Sequence, residues 1–192
     1  CETVEPCKEM LDACAAPGGK SVLLAKKCGG VTAFELHPHR VELIRQYRER
    51  MGAANVFERQ KDSSVFDPAY AEKFDGVLCD VPCSGFGTLS ENPDIRLFRK
   101  EGDFVSLAAA QRGILAACAR YVRRGGRLYY ATCSVFAEEN DLVVGEFLAK
   151  NPDFSPVRAD SPLPYVRKKY GLQFLPDEAF GAGFYVAKLA RK

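Results

Sequence analysis

Apolar and polar positions alternate along the chain with two different periods. The apolar runs at 9–14, 31–36 and 74–80 are short and bounded by turn residues, which predicts buried strands. Between them, the segments 20–28 and 39–52 have apolar residues at helical spacing, and each stops at a glycine. Strands and helices that alternate through short connections predict a parallel sheet with helices on both faces.

The second half of the chain continues this pattern after one long interruption. The segment Val81–Gly102 is rich in proline, glycine, serine and asparagine, and a loop of this length is usually functional or mobile. A helix is predicted from Asp103, as its N-cap, to about Arg123. The remaining predicted elements are strands at 55–62, 125–133, 171–176 and 183–189 and a helix at 137–152. The buried face of the helix at 39–52 is expected to carry Val41, Ile44, Tyr47 and Met51.

The composition fits one globular domain of 192 residues, with 47% hydrophobic and 27% charged residues. A net charge of +2 does not by itself indicate a nucleic-acid-binding protein. No apolar run approaches the roughly 20 residues that span a bilayer, and no leader pattern is visible. We therefore expect a cytoplasmic protein without membrane contact, and a monomer. Because the chain begins at Cys1, we also expect it to be part of a longer protein.

The eight cysteines are expected to be reduced rather than paired in structural disulfides. Cys79 and Cys118 lie within apolar runs and are expected to behave as small buried hydrophobes. Zinc is not expected, because His37 and His39 follow a different strand from the cysteines that could join them.

The stretch "LDACAAPGGKS" nearly matches a phosphate-binding loop. Gly19, Lys20 and Ser21 occupy its last three positions, but Cys14 stands where the first glycine should be. A side chain at that position crowds a phosphate cradle. A ligand other than a nucleotide phosphate is therefore predicted beside this turn.

Three acidic residues follow successive predicted strands: Glu35, Asp62 and Asp80. Each could instead be a helix cap or lie in a solvated turn. Together they favour a ligand with ribose hydroxyls and an amine, and Glu35 lies 17 residues after Gly18, close to the spacing of a ribose-binding acid. A zwitterionic amino-acid tail on adenosine fits this set, which predicts S-adenosylmethionine as cofactor.

The two remaining strand ends carry cysteines, Cys83 in "DVPCSGFGTL" and Cys133 in "YYATCSVF". A single cysteine in such a position is usually a small buried hydrophobe. Two at adjacent ligand-facing strand ends indicate reactive thiols, for which lowered pKa values are expected.

These motifs resemble those of the Sun/Nop/Fmu (RsmB-like) family of RNA 5-methylcytosine methyltransferases. "DACAAPGGKS" resembles its first motif, "DVPCSGFGTL" with "NPDIR" its fourth, "YYATCSVFAEEN" its sixth and "GFYVAKL" its closing strand. The resemblance runs from Leu11 to Leu189. It implies a Rossmann-like class I methyltransferase fold, with a doubly wound, mainly parallel sheet of about seven strands and an antiparallel closing strand. It also implies that 1–192 is a single catalytic domain without the RNA-recognition region that usually precedes the first motif.

The resemblance assigns a role to each matching residue. Cys133 would be the nucleophile, Cys83 would assist product release, and Asp80 would lie between cofactor and target base. Glu35 would bind the ribose hydroxyls and Asp62 the adenine amine. The methionine end of the cofactor would be lined by Cys14, Ala15, Ala16, Pro17, Gly18, Gly19 and Lys20. The implied partner is RNA, with rRNA favoured over tRNA.

Two basic clusters are candidates for RNA contact. Arg120–Arg127 follows a predicted helix, where cations also complement the helix dipole. Tyr165–Gly171 interleaves aromatic and basic residues and is the better candidate. Three alternatives remain open: a methyltransferase for a small molecule or protein, a non-catalytic RNA-binding assembly factor, and a dithiol redox protein.

Overall fold

The computed structural model describes residues 1–176 and 181–192. Within these residues, nine strands form one sheet in the order β3-β2-β1-β4-β5-β9-β8-β7, with β6 pairing with β9. The strands are β1 Glu9–Asp12, β2 Gly30–Glu35, β3 Val56–Gln60, β4 Phe74–Asp80, β5 Val122–Thr132, β6 Phe154–Pro156, β7 Val166–Arg167, β8 Gly171–Phe174 and β9 Phe184–Arg191.

The sheet confirms the predicted fold class. Strands β1 to β5 pair in parallel, whereas β9 runs antiparallel to β5. The described sheet has more strands than the seven or so expected, because β6 and β7 are only three and two residues long and give no periodic pattern.

In the described part of the chain, five α-helices lie between the strands: α1 Gly19–Ala25, α2 Pro38–Arg50, α3 Ile95–Phe98, α4 Glu101–Ala119 and α5 Asp141–Lys150. The short helix α3 lies inside the segment predicted as a loop. The Asp103 N-cap prediction is wrong. Lys100 is the N-cap of α4, and Asp103 lies at N3, where its carboxylate accepts the Lys100 N–H at 3.0 Å. This contact is the N3 half of a capping box, and the Asp103 N–H donates to the Lys100 backbone carbonyl, so the acid belongs inside the first turn.

The helix also ends earlier than Arg123, because β5 begins at Val122. On α2, Val41 and Ile44 are buried as predicted, but Met51 is 50% exposed, because the helix ends at Arg50 and the chain turns away from the sheet.

Alternating residues of the central strands build two cores, one on each face of the sheet. Leu11 and Tyr130 belong to one apolar cluster, whereas their neighbours Met10 and Tyr129 belong to the other. A strand buried on both faces is typical of a parallel sheet between helical layers. The carboxyl ends of β1, β2, β4 and β5 are therefore left as one open edge where a ligand can bind.

Among the described residues, no helix is both long and apolar enough to cross a membrane.

Candidate active site at the carboxyl ends of the strands

The glycine turn between β1 and α1 lies at this edge, and its residues differ in what they contact. Gly18 has a φ of 109°, and a Cβ there would lie 3.3 Å from the Ile44 Cα, so this glycine allows α1 to pack against α2. The Ala15 N–H donates to the Phe34 carbonyl at 2.9 Å, which ties the turn to β2. Packing against α2 and a hydrogen bond to β2 therefore hold the backbone of the turn in place.

Two adjacent cavities open beside the turn, with volumes of about 320 and 290 Å³. Every predicted site residue except Gly18 lines at least one of them. The larger is lined by Cys14, Ala16, Lys20, Glu35, Asp62, Asp80, Cys83 and Cys133. The smaller is lined by Cys14, Ala15, Ala16, Pro17, Gly19, Lys20 and Asp80. Residues at or just after the ends of five strands, β1 to β5, therefore line the larger cavity.

The two acids predicted to bind adenosine have different surroundings. Glu35 is buried, and its Oε1 accepts the His37 N–H at 3.1 Å and lies 3.5 Å from the Arg40 guanidinium. Asp62 is exposed, and its Oδ1 accepts the N–H and hydroxyl of Ser64 at 2.9 and 2.6 Å. Asp62 thus forms the solvated turn that was the alternative interpretation, while its carboxylate still lines the cavity.

A third acid, Asp12, was not identified from the sequence. It ends β1 and is 1% exposed, and its Oδ2 accepts the Ser21 hydroxyl at 2.7 Å. Its Oδ1 is buried without a hydrogen-bond partner among the described residues. Burial raises the pKa of Asp12 to about 6, above its ordinary value of 3.8. An unpaired buried carboxylate oxygen beside the smaller cavity fits the ammonium group of a methionine tail.

Lys20 and Asp80 form an ion pair of 2.6 Å that joins the glycine turn to the end of β4. Burial acts to lower the pKa of Lys20, but the Asp80 carboxylate outweighs it and raises that pKa. The ion pair therefore fixes the Asp80 carboxylate beside the cavity that the two cysteines also line.

The sulfur atoms of Cys83 and Cys133 lie 2.9 Å apart, although the two residues are 50 positions apart in the chain. The hydrogen bond from the Cys83 thiol lowers the pKa of Cys133, and nearby Lys20 adds to this effect. The same contact and burial raise the pKa of Cys83 well above its ordinary range. The expectation of a lowered pKa is confirmed for Cys133 and wrong for Cys83, because only one of two touching thiols can be the hydrogen-bonded thiolate.

The loop after Cys83 is held against Cys133 by backbone contacts. The Gly87 N–H donates to the Cys133 carbonyl at 2.9 Å, and the Gly87 carbonyl accepts the Gly183 N–H at 2.6 Å. Arg99 secures the other side by donating to the carbonyls of Cys83 and Ser84 at 3.2 and 3.0 Å. These contacts fix where the Cys83 thiol stands.

The basic clusters lie outside this site. Arg120 is the C-cap of α4, and Arg123 pairs with Asp75 at the start of β5, the end of that strand far from Cys133. This placement favours the structural interpretation of Arg120–Arg127. The segment 165–171 includes β7 at the edge of the sheet, so its RNA contact stays a prediction.

The parallel sheet, the glycine turn and the acids at successive strand ends define a Rossmann-like methyltransferase. A family model described as "16S rRNA methyltransferase RsmB/F" matches residues 3–190, and the chain belongs to this family. The resemblance to Sun/Nop/Fmu enzymes is thereby confirmed, as is the prediction of S-adenosylmethionine as cofactor.

Individual relatives agree with this assignment. The "Probable ribosomal RNA small subunit methyltransferase B" of Bacillus subtilis (strain 168) is 38% identical over 95% of this chain, which spans 43% of that protein. The crystal structure of PH0851 superimposes with a TM-score of 0.92 and 33% identity, covering 98% of this chain and 44% of that one. The structure of "NSun6 from Pyrococcus horikoshii with SFG" superimposes with a TM-score of 0.82 and 27% identity, covering 95% of this chain and 47% of that one. The chain thus spans less than half the length of these relatives.

Proposed function

We propose that this chain is the catalytic domain of an RNA (cytosine-5)-methyltransferase that uses S-adenosylmethionine, with rRNA as the favoured substrate. The observation that carries the proposal is the thiol pair, in which Cys133 has a lowered pKa and touches Cys83 at 2.9 Å. A methyltransferase for a small molecule or a protein would have no use for these two thiols at the open edge of the sheet.

A thiolate is needed because C5 of cytosine is a poor nucleophile. When the Cys133 thiolate adds to C6, the ring becomes an enamine and C5 gains nucleophilic character. S-adenosylmethionine, when bound, supplies the electrophilic methyl group. Methyl transfer would release S-adenosylhomocysteine. A base must then accept the C5 proton, and the electrons of the C5–H bond form the C5–C6 double bond as the Cys133 sulfur departs from C6 as a thiolate. Cys83 lies beside that sulfur and is placed to assist this last stage.

The other residues position the two substrates. Asp12 and the glycine turn would hold the amino-acid end of the cofactor, and Glu35 would accept hydrogen bonds from the ribose hydroxyls. Asp80 stands between the turn and the thiols, where its carboxylate would accept a hydrogen bond from the exocyclic amine of cytosine. Uracil has no such amine, so this contact would select cytosine.

The two cysteines are distinguished by replacing each in turn. In Cys133→Ala no thiolate attacks C6, so methyl transfer and the covalent protein–RNA adduct are both expected to be lost. In Cys83→Ala attack and methyl transfer proceed but elimination slows, so an adduct is expected to accumulate. A denaturing gel of each variant with substrate RNA and labelled cofactor measures both outcomes. The Cys7→Ala variant, whose thiol lines a separate cavity away from the site, is the matched control and is expected to react like the wild type.

Other results would change the assignment. An adduct trapped by Cys133→Ala but not by Cys83→Ala would reverse the two roles. Methyl transfer that survives both replacements would refute the thiol mechanism and favour a small-molecule or protein substrate.

A further inference from the structure

Glu139 is a buried carboxylate to which the proposed chemistry assigns no role. It lies in a single helical turn, Ala137–Glu139, between Cys133 and α5, and it is 0% exposed. Its Oε1 accepts the Ser84 N–H at 2.8 Å and the Gln111 amide at 3.0 Å. Its Oε2 accepts the hydroxyls of Ser84 and Ser134 at 2.6 and 2.5 Å. Four donors therefore converge on one side chain.

All four donors are neutral groups. None of the ion pairs formed by the described residues includes Glu139. Burying a carboxylate without a cation is unfavourable unless its hydrogen bonds are complete, and apolar packing of similar size would stabilise the fold at least as well. The arrangement is therefore better explained by the geometry that it imposes than by stability.

The residues that Glu139 binds identify what it positions. Ser84 directly follows Cys83, and Ser134 directly follows Cys133. The backbone pairing of β4 with β5 ends at Asp80 and Ala131, before either cysteine is reached. Beyond that point the Glu139 carboxylate is a side-chain bridge between the two cysteine-bearing segments.

Asn140 completes the support on the Cys133 side. Its amide donates to the Ser134 carbonyl at 3.0 Å, and its Oδ1 accepts the Thr132 hydroxyl at 2.5 Å. The residues before and after Cys133 are thus both held by the Glu139–Asn140 pair, whereas only Glu139 also reaches the Cys83 segment.

We propose that Glu139 is a positioning residue that holds the Cys83 and Cys133 thiols in contact, acting through Ser84 and Ser134. Its importance for methyl transfer rests on the proposed function, but the thiol geometry itself does not. A glutamine at 139 keeps the length and can bond to the same four groups, because serine hydroxyls both donate and accept. Alanine removes this bridge and leaves only the 3.3 Å contact between the Ser84 and Ser134 hydroxyls and the Gly87–Cys133 backbone bond between the two segments. We therefore expect the contact between the two thiols to be lost in Glu139→Ala and kept in Glu139→Gln.

The contact between the thiols is measured by oxidising the pair with a diazenedicarboxamide, without RNA or cofactor. Each disulfide formed removes two S–H hydrogens and two electrons, which convert the N=N bond of the reagent into a hydrazine. Peptide mapping by mass spectrometry follows the Cys83–Cys133 disulfide separately from other cysteines. Ser134→Ala removes the hydroxyl that links Glu139 to the residue after Cys133, whereas Ser84→Ala would leave the Ser84 N–H bonded to Glu139. Oxidation is expected to be at least tenfold slower in Glu139→Ala and in Ser134→Ala, and within threefold of wild type in Glu139→Gln. The neighbouring exposed Glu138→Ala is the control and is expected to match wild type.

All variants are compared at a temperature where each is folded, and Ser134→Ala decides the question if Glu139→Ala does not fold. Oxidation as fast in Ser134→Ala and Glu139→Ala as in wild type would overturn the proposal. Equal slowing in Glu139→Gln and Glu139→Ala would also overturn it, because charge rather than bridging would then matter. If the chain methylates no RNA while the oxidation rates follow the prediction, the proposed function fails and the positioning role stands.

Discussion

Replacing Gly87 by alanine tests how closely the loop after Cys83 must approach Cys133. A Cβ at position 87 would lie 2.1 Å from the Gly183 oxygen and 2.8 Å from the Cys133 oxygen. Both obstacles are backbone atoms, so no side-chain rotation relieves the overlap. The loop must move away, and the two backbone hydrogen bonds of Gly87, to Cys133 and from Gly183, are lost or stretched.

The loss of stability has two parts. Overpacking costs about 1–3 kcal/mol, and each of the two hydrogen bonds contributes about 0.5–1.5 kcal/mol. Together the free energy of unfolding should fall by about 2–6 kcal/mol. For a chain of this size each kcal/mol corresponds to about 2–4 °C, so the midpoint of thermal unfolding should fall by about 4–24 °C. Methyl transfer should fall by roughly 100-fold, because an ångström of displacement at a reacting group has an effect of this order.

Thermal melting and single-turnover methyl transfer, at a temperature where the variant is folded, measure the two effects. Gly102→Ala is the matched control, because Gly102 lies in α4 and a Cβ there would meet no atom of the described residues within 4 Å, the helix's own nearby backbone aside. Alanine there should raise stability by up to about 1 kcal/mol through helix propensity. A Gly87→Ala protein that melts and reacts like the wild type would refute the argument that this backbone contact positions the thiols.

Two further variants test the cofactor side of the site. Because the pKa of Asp12 is raised in the folded chain, its protonated form favours folding. Its contribution to the free energy of unfolding is therefore complete below about pH 4 and is lost as the pH rises through about 6. Between these pH values the free energy of unfolding should fall by about 3 kcal/mol in the wild type and by none of this amount in Asp12→Asn. Urea unfolding of the cofactor-free proteins between pH 4 and 8 measures the difference. If the free energies of unfolding of the two proteins change in parallel with pH, the prediction is wrong. Glu35→Ala should weaken S-adenosylmethionine binding by about 1–3 kcal/mol, or roughly 5- to 150-fold in Kd, because ribose hydroxyls lose a buried acceptor. Calorimetry with the exposed Glu49→Ala as control measures this, and equal affinities would remove Glu35 from the cofactor site.

The sequence predicted the parts of the fold that depend on local periodicity. The five parallel strands and the antiparallel β9 have apolar runs long enough to be recognised. The first residue of α4 was harder to predict, because an acid near the start of a helix can be the N-cap or the N3 residue. Only the backbone geometry at Lys100 distinguishes the two.

The candidate site, too, could be predicted from the sequence only in part. The cysteines and acids at strand ends could be located because parallel strands bring their carboxyl ends to one edge. Asp12 was missed because the predicted strand ran on to Cys14, which placed this acid inside the strand and not at its end. Glu139 was missed because its importance depends on burial and on partners distant in the chain. The bond from Ser84 to Glu139 joins residues 55 positions apart, and no local pattern encodes it. Such a contact is visible only once β4 and β5 are adjacent.

The central position of β4 and β5 in the sheet has a consequence for the RNA. Both strands have neighbours on either side, and their pairing from Gly76–Arg127 to Asp80–Ala131 leads directly into the thiol-bearing segments. The paired strands, with the Glu139 and Gly87 contacts just beyond them, together restrict movement of the thiols. In the proposed reaction the protein therefore acts as a rigid template, and the RNA changes conformation instead. Its target cytosine must leave the base stack to reach Cys133. Cytosines in loops or melted segments, where stacking is already weak, should be the easiest for such a template to capture.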